Sequence, residues 1–127
     1  MMIQRLPDAE LAIMQAIWKF GGEVTSAQIM MQLEGKKEWA TTTVLNFLAR
    51  LVDRDFLSVR REGKVNIYKP IIDEESYLAA ESMSFLQRLH GNSLTSLVTS
   101  LYGGKAISQG DLNELQNFIN QKAGEGK

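Results

Sequence analysis

The chain has 127 residues, 44% of them hydrophobic and 23% charged, with a net charge of −1; that allows one compact domain, or a small domain with an appended oligomerisation element. It contains no cysteine, which excludes disulfides, thiolate metal sites and a cysteine nucleophile. No apolar run approaches the roughly 20 residues needed to cross a bilayer and no signal-peptide pattern opens the chain, so a cytoplasmic protein without a membrane partner is expected.

Leu11, Met14, Ile17 and Trp18 recur at helical spacing between Pro7 and Gly21-Gly22, which predicts a first helix over 7–20. Thr25 caps a second helix over 26–33, with Ala27, Ile29, Met30 and Leu33 as its apolar positions. A polar turn, Glu34-Gly35-Lys36-Lys37, leads past Trp39 to a third helix over 41–54. Val44, Phe47, Leu48 and Leu51 form its apolar face, and Thr42, Thr43, Asn46, Arg50 and Asp53 lie opposite. The period then drops to two: segments 56–60 and 65–69 alternate around Glu62-Gly63, as a β-hairpin does, and Pro70 limits the second strand. Three helices followed by a basic-tipped hairpin follow the order of a winged helix, whose third helix reads DNA.

From Asp73 the pattern is helical again. A long helix over 74–89 carries Phe85, Leu86 and Leu89, and Gly91-Asn92 ends it. A short one over 93–101 carries Leu94, Leu97, Val98 and Leu101. Ser108, with Asp111 three residues on, caps a last helix to about residue 121, striped by Leu112, Leu115, Phe118 and Ile119, and the tail 123–127 is expected to fray. Helices this apolar cannot bury their stripes within about 55 residues. Pairing with a second copy would cover them and would supply a two-fold axis matched to palindromic DNA; packing on the N-terminal part is the alternative. The expected fold class is therefore mainly α with a small β-hairpin: a winged helix-turn-helix DNA-binding domain over 1–72 and a helical dimerisation domain over 73–127. Charge divides the same way, with ten Lys/Arg against eight Asp/Glu up to residue 72 (+2) and four against seven after it (−3).

Candidate chemistry is sparse for an enzyme. The one histidine, His90, stands at a helix end beside Gly91 and reads as a cap or dipole partner. Asp73-Glu74-Glu75 reads as an acidic helix start, and no phosphate loop or metal-ligand cluster is evident. No catalytic residue, metal or cofactor is expected. DNA contact has more support. Thr41, Thr42 and Thr43 can offer hydroxyls and N–H groups to phosphates or base edges, or can be plain helix caps. Asn46 can pair bidentately with adenine, and Arg50 and Arg54 continue that side toward the backbone. Arg60, Arg61 and Lys64 surround the hairpin turn, either as a solvated tip or as a wing on phosphate or minor groove. A winged helix that binds only protein stays open as the alternative, and a small hydrolase is remote for want of a base.

Several segments resemble the penicillinase-repressor (BlaI/MecI-type) family. They are Asp8-Ala9-Glu10-Leu11 with Met14 and Trp18, Trp39 before a Thr-Val helix start, Leu48-Ala49-Arg50-Leu51, the wing Arg61-Glu62-Gly63-Lys64-Val65 with Tyr68, and Ser84-Phe85-Leu86 leading to Ser93-Leu94 and Leu97-Val98. The likeness runs from about Leu6 to Lys122. It implies a homodimeric repressor of a β-lactam resistance or other stress or metal-response operon, bound to a palindromic operator. There are departures. Ala40-Thr41-Thr42 stands where the family often has Ser-Pro-Lys, and Asp55 where it usually has glycine. β-Lactam-responsive members are cut at an Asn-Phe bond, which makes a sensor protease an implied partner; the matching bond here is Ser100-Leu101. The two Asn-Phe pairs, Asn46-Phe47 and Asn117-Phe118, lie in other helices. Copper-responsive relatives use C-terminal cysteines, which this chain lacks.

Overall fold

A computed structural model describes residues 3–125. The first helix, α1 (Asp8–Phe20), starts after Pro7, whose ring presets the entry dihedral, and stops at Gly21, which adopts φ 77°. A two-residue strand, β1 (Val24–Thr25), follows, then α2 (Ser26–Leu33), α3 (Thr41–Asp53), β2 (Leu57–Glu62) and β3 (Val65–Pro70). Thr25 does cap α2, and reciprocally: the Gln28 N–H donates to Thr25 Oγ1 (3.2 Å) and the Thr25 N–H donates to Gln28 Oε1 (2.9 Å). Ala27, expected among the apolar positions of α2, is exposed.

The sheet has the order β1-β3-β2 and is antiparallel throughout. β1 is the element that sequence periodicity did not show, since two residues are too few to alternate and are defined as strand only by their pairing, Val24 with Tyr68 and Thr25 with Ile67. The hairpin closes at Glu62–Val65 around Gly63 (φ 63°) and Lys64, with glycine where a type II′ turn requires a positive φ.

Asp55 decides where the hairpin goes. It takes φ 61°, the left-handed value, and the chain closes α3 with a Schellman pattern: the Asp55 N–H donates to the Val52 carbonyl (3.1 Å) and the Phe56 N–H to that of Leu51 (2.9 Å). An aspartate thus fills a left-handed position that glycine usually takes. Short side chains that can bond locally tolerate that conformation best after glycine.

The described residues form two compact units, one up to Glu81 and one from Ser82. In the first, Ile13, Met14 and Ile17 of α1, Ile29 of α2 and Leu48 and Leu51 of α3 are fully buried with Val24, Phe56 and Leu57. Tyr77 belongs to this core although it sits on α4 (Glu74–His90). Its ring lies 5.7 Å from that of Trp18 and 5.8 Å from that of Phe56, and its hydroxyl accepts the Leu6 N–H at 2.9 Å. Trp18 in turn donates Nε1–H to the Ile72 carbonyl (2.9 Å), which satisfies the one polar atom of a half-buried indole. This is the winged helix-turn-helix expected from the element order.

The second unit contains the end of α4, then α5 (Leu94–Gly103) and α6 (Gln109–Glu125). Local signals define these helices well. Ser93 Oγ accepts the Ser96 N–H, and Ser108 and Asp111 form the expected capping box, with the Asp111 N–H on Ser108 Oγ (3.1 Å) and the Ser108 N–H on Asp111 Oδ2 (2.7 Å). His90, at the end of α4, places its Nδ1 2.8 Å from Ser96 Oγ of α5. The expected fraying is corrected for residues 123–125, because α6 continues to Glu125, aided by a Lys122–Glu125 ion pair at 3.1 Å. Gly126 and Lys127 lie outside the described residues. No residue of α5 or α6 is buried.

Candidate nucleic-acid interface

Helix α3 buries Val44, Leu48 and Leu51. At about 100° per residue, the direction opposite to these three is taken by Thr42, Asn46 and Arg50, one turn apart, with Asp53 beside them. All four are exposed. Thr43 turns toward one flank and is half-buried, whereas Thr41, also exposed, points toward the other flank and does not share the Asn46 stripe. The threonines are not caps: Ala40 holds the N-cap position of α3, with no side-chain cap bond. The first N–H groups of this 13-residue helix therefore keep their donors for something else, and a helix start of that kind attracts anions.

Arg60 and Arg61, adjacent on β2, point to opposite faces of the sheet. Cross-strand pairing puts Arg61 with Asn66 and Val59 with Tyr68 on the face turned to α3, where Leu45, Ala49, Val52 and Asp53 complete a shallow groove of about 380 Å³. Among the described residues Arg61 makes no ion pair, and it donates Nε–H to the Gly63 carbonyl at 3.1 Å. Lys64, in the turn itself, is exposed. Arg60 is on the other face and is engaged twice, by a fork on Glu23 (Nε–Oε2 3.1 Å, Nη2–Oε1 3.3 Å) and by an ion pair with Glu62. The hydrogen bond from Arg60 holds the Glu23 carboxyl below its ordinary value, and the two carboxylates push the Arg60 guanidinium up. The two arginines, equivalent on sequence, differ in how freely they can meet a phosphate.

Arg54 is a correction to the sequence reading. It does not continue the exposed side of α3, because its guanidinium pairs with Glu10 of α1. Glu10, at 2% exposure, is the one buried charged residue among those described, and this pair ties the end of α3 to α1. A group that sequence reasoning did not assemble lies at the start of α3. Lys37 Nζ stands 5.6 Å from the centroid of the Trp39 ring, Trp39 meets Phe47 edge to face at 5.2 Å, and Arg50 Cζ is 5.9 Å from the centroid of Phe47. The Phe47-x-x-Arg50 spacing signalled half of it.

In the second unit the apolar residues expected to pair with another copy remain open to solvent. Leu89 is 61% exposed, Leu94 54% and Phe118 56%, with Phe85, Leu101 and Ile119 also exposed. Leu86, Leu97, Val98, Leu112 and Leu115 are half-buried. Ser100 and Leu101 are both exposed within α5, and the bond between them is part of the helix. Among the described residues, no helix is long and apolar enough to cross a membrane, and no three His, Asp or Glu gather as a metal site.

Comparison with known proteins adds to this geometry. A family model described as penicillinase repressor matches residues 6–121. The penicillinase repressor of Bacillus licheniformis is 31% identical over 119 residues, which cover 94% of this chain and 92% of that protein. The solution structure of the DNA-binding domain of the repressor BlaI is similar at TM-score 0.51 and 33% identity, covering 57% of this chain and 88% of that one. So is the monomeric form of Bacillus licheniformis BlaI in complex with the blaP half-operator, at TM-score 0.50 and 33% identity over 59% and 90% of the two chains.

Proposed function

The chain belongs to the penicillinase repressor family, and from that premise we propose that it is a transcriptional repressor that binds a palindromic operator as a homodimer. The observation that carries the DNA-binding half is α3: an outward stripe of Thr42, Asn46 and Arg50, and a start with uncapped N–H groups. The hairpin face that carries Arg61 stands on the flank of that helix. Asn46 has the donor and acceptor needed to read one base edge, while Arg50, Arg61 and Lys64 suit backbone phosphates. Thr41, Thr42 and Thr43 supply the N–H groups at the helix start. Arg60 contributes less than Arg61, since a phosphate must compete with Glu23 and Glu62 for it.

The dimer half of the proposal rests on the second unit. Its helices are capped and regular yet bury no side chain in α5 or α6. A unit of this size lacks the core to stand alone, and a second copy supplies one. The regulated operon is of the β-lactam resistance kind or another stress-response kind, a reading supported by the relatives' names. Release by a sensor protease acting at Ser100-Leu101 is the corresponding reading for the switch.

Selection of bound duplexes from a random pool tests the whole reading. A palindrome with half-sites about one helical turn apart is expected. Asn46→Ala should then change preference at one base pair by about 1–3 kcal/mol. Uniform losses on every sequence would remove its base-reading role. Recovery of no duplex at low salt would overturn DNA binding altogether.

A further inference from the structure

We propose that Lys37 and Arg50 form a phosphate clamp on the flank of α3, each cation held by one ring of the Trp39–Phe47 pair, and that the ligand is the sugar-phosphate backbone of duplex DNA. The proposal rests on the reading that this chain binds DNA and adds a site to it. The four side chains make one unbroken series: ammonium over indole at 5.6 Å, indole against phenyl at 5.2 Å, guanidinium over phenyl at 5.9 Å. Those distances lie within the roughly 6 Å reach of cation–π attraction.

The nature of the partner is what distinguishes these two cations. Arg54 and Arg60 are held by carboxylates, which neutralise them and would have to be displaced by an incoming phosphate. An aromatic face restrains a cation without cancelling its charge or occupying its N–H donors. Lys37 and Arg50 are thus restrained and still available, and neither makes an ion pair among the described residues. Glu34 and Glu38, the acidic residues nearest Lys37 in the chain, are exposed and do not bridge to it. The rings are themselves anchored, since Trp39 and Phe47 are half-buried against the core of the first unit.

Position agrees with this role. Lys37 precedes α3, and Arg50 is the member of the outward stripe that lies nearest Phe47. The first turn of α3 holds three threonines and no cation, so positive charge at the start of that helix must come from beside it. Side chains already confined to one region lose less rotamer freedom on binding than free lysines do. Lys37 is then a contact residue, and Trp39 and Phe47 are positioning residues.

The test is the salt dependence of binding by the full chain to a labelled random-sequence duplex, read by fluorescence anisotropy. Lys37→Gln and Arg50→Gln should each lower the slope of log K against log salt by about 0.9, one phosphate contact. Trp39→Leu should lower the slope as Lys37→Gln does, and Trp39→Phe should restore it. The double variant K37Q/W39L should fall no further than W39L alone. Should K37Q leave the slope unchanged while Arg61→Gln reduces it, DNA binding stands and the clamp is wrong. If the wild-type chain shows no salt-dependent binding to any duplex, both fail together. Lys37 is exposed, so its variant decides the matter even if Trp39→Leu does not fold.

Discussion

The two units of this chain are built on opposite plans. The first joins three helices and a three-stranded sheet around fully buried side chains, and draws Tyr77 of α4 into that core. The second has helices with good caps, a histidine–serine bond and a capping box, yet no residue of α5 or α6 is more than half-buried. Caps specify where a helix begins and ends; they do not make it stable in water, where helices of 10 to 17 residues are marginal alone. The difference shows that local structure and tertiary burial are separable in one short chain.

The largest effect should come from the core of the first unit. Leu48→Ala, at a position with no exposure, should cost about 2–5 kcal/mol in urea unfolding, and the loss should not depend on protein concentration. In the second unit, Phe118→Ala should instead act through association. Truncating a ring that anchors an interface costs about 2 kcal/mol or more, visible as a shift in the sedimentation-equilibrium dimer constant and absent at high dilution. A concentration-independent loss equal to that of Leu48→Ala would abolish the contrast between the units. Tyr77→Phe should cost about 1–3 kcal/mol, because it leaves the buried Leu6 N–H without its acceptor; thermal unfolding of the full chain would register it.

The smallest effect is on the acid side. Asp73 is held below its ordinary carboxylate value first by the Ser76 hydroxyl, which donates to it at 2.7 Å, and then by the Ser76 N–H. Glu23 is lowered by Arg60. A depressed folded-state value means stabilisation present above the unfolded value and lost as pH falls through the folded one. Midpoints should therefore decline below about pH 4.5, the ordinary value for Glu23. Asp73→Asn should make that decline shallower, as melting curves across the acid range would show.

Much of the fold could be read from residue spacing. Thr25 marked the start of α2, Gly21 the end of α1, and the apolar period placed α3 and both hairpin strands within a residue or two. β1 could not be read, because its two residues become strand only by lying against the edge of β3. By spacing alone Tyr77 is one more apolar position on α4, and only the fold brings it to Leu6, 71 residues away in the chain. The outward stripe of α3 was legible as helical spacing. That Arg60 and Arg61 face opposite ways follows from strand alternation alone, but which of them meets a carboxylate depends on where Glu23 lies. Arg54 was misplaced for the same reason, its partner Glu10 being 44 residues earlier.

The Ser100–Leu101 bond has a kinetic consequence. The Ser100 carbonyl accepts the Gly104 N–H at 3.0 Å, and the Leu101 carbonyl accepts the Ala106 N–H at 2.9 Å. A protease takes its substrate extended, so if the proposed cut is made here it must wait for α5 to open, and its rate would follow the open fraction when reclosing is fast. Whatever covers α5 lowers that fraction. If the cover is a second copy, mass action ties the lifetime of each chain to its own concentration. Abundant repressor would be slow to clear, and dilution by growth would shorten the half-life of what remains.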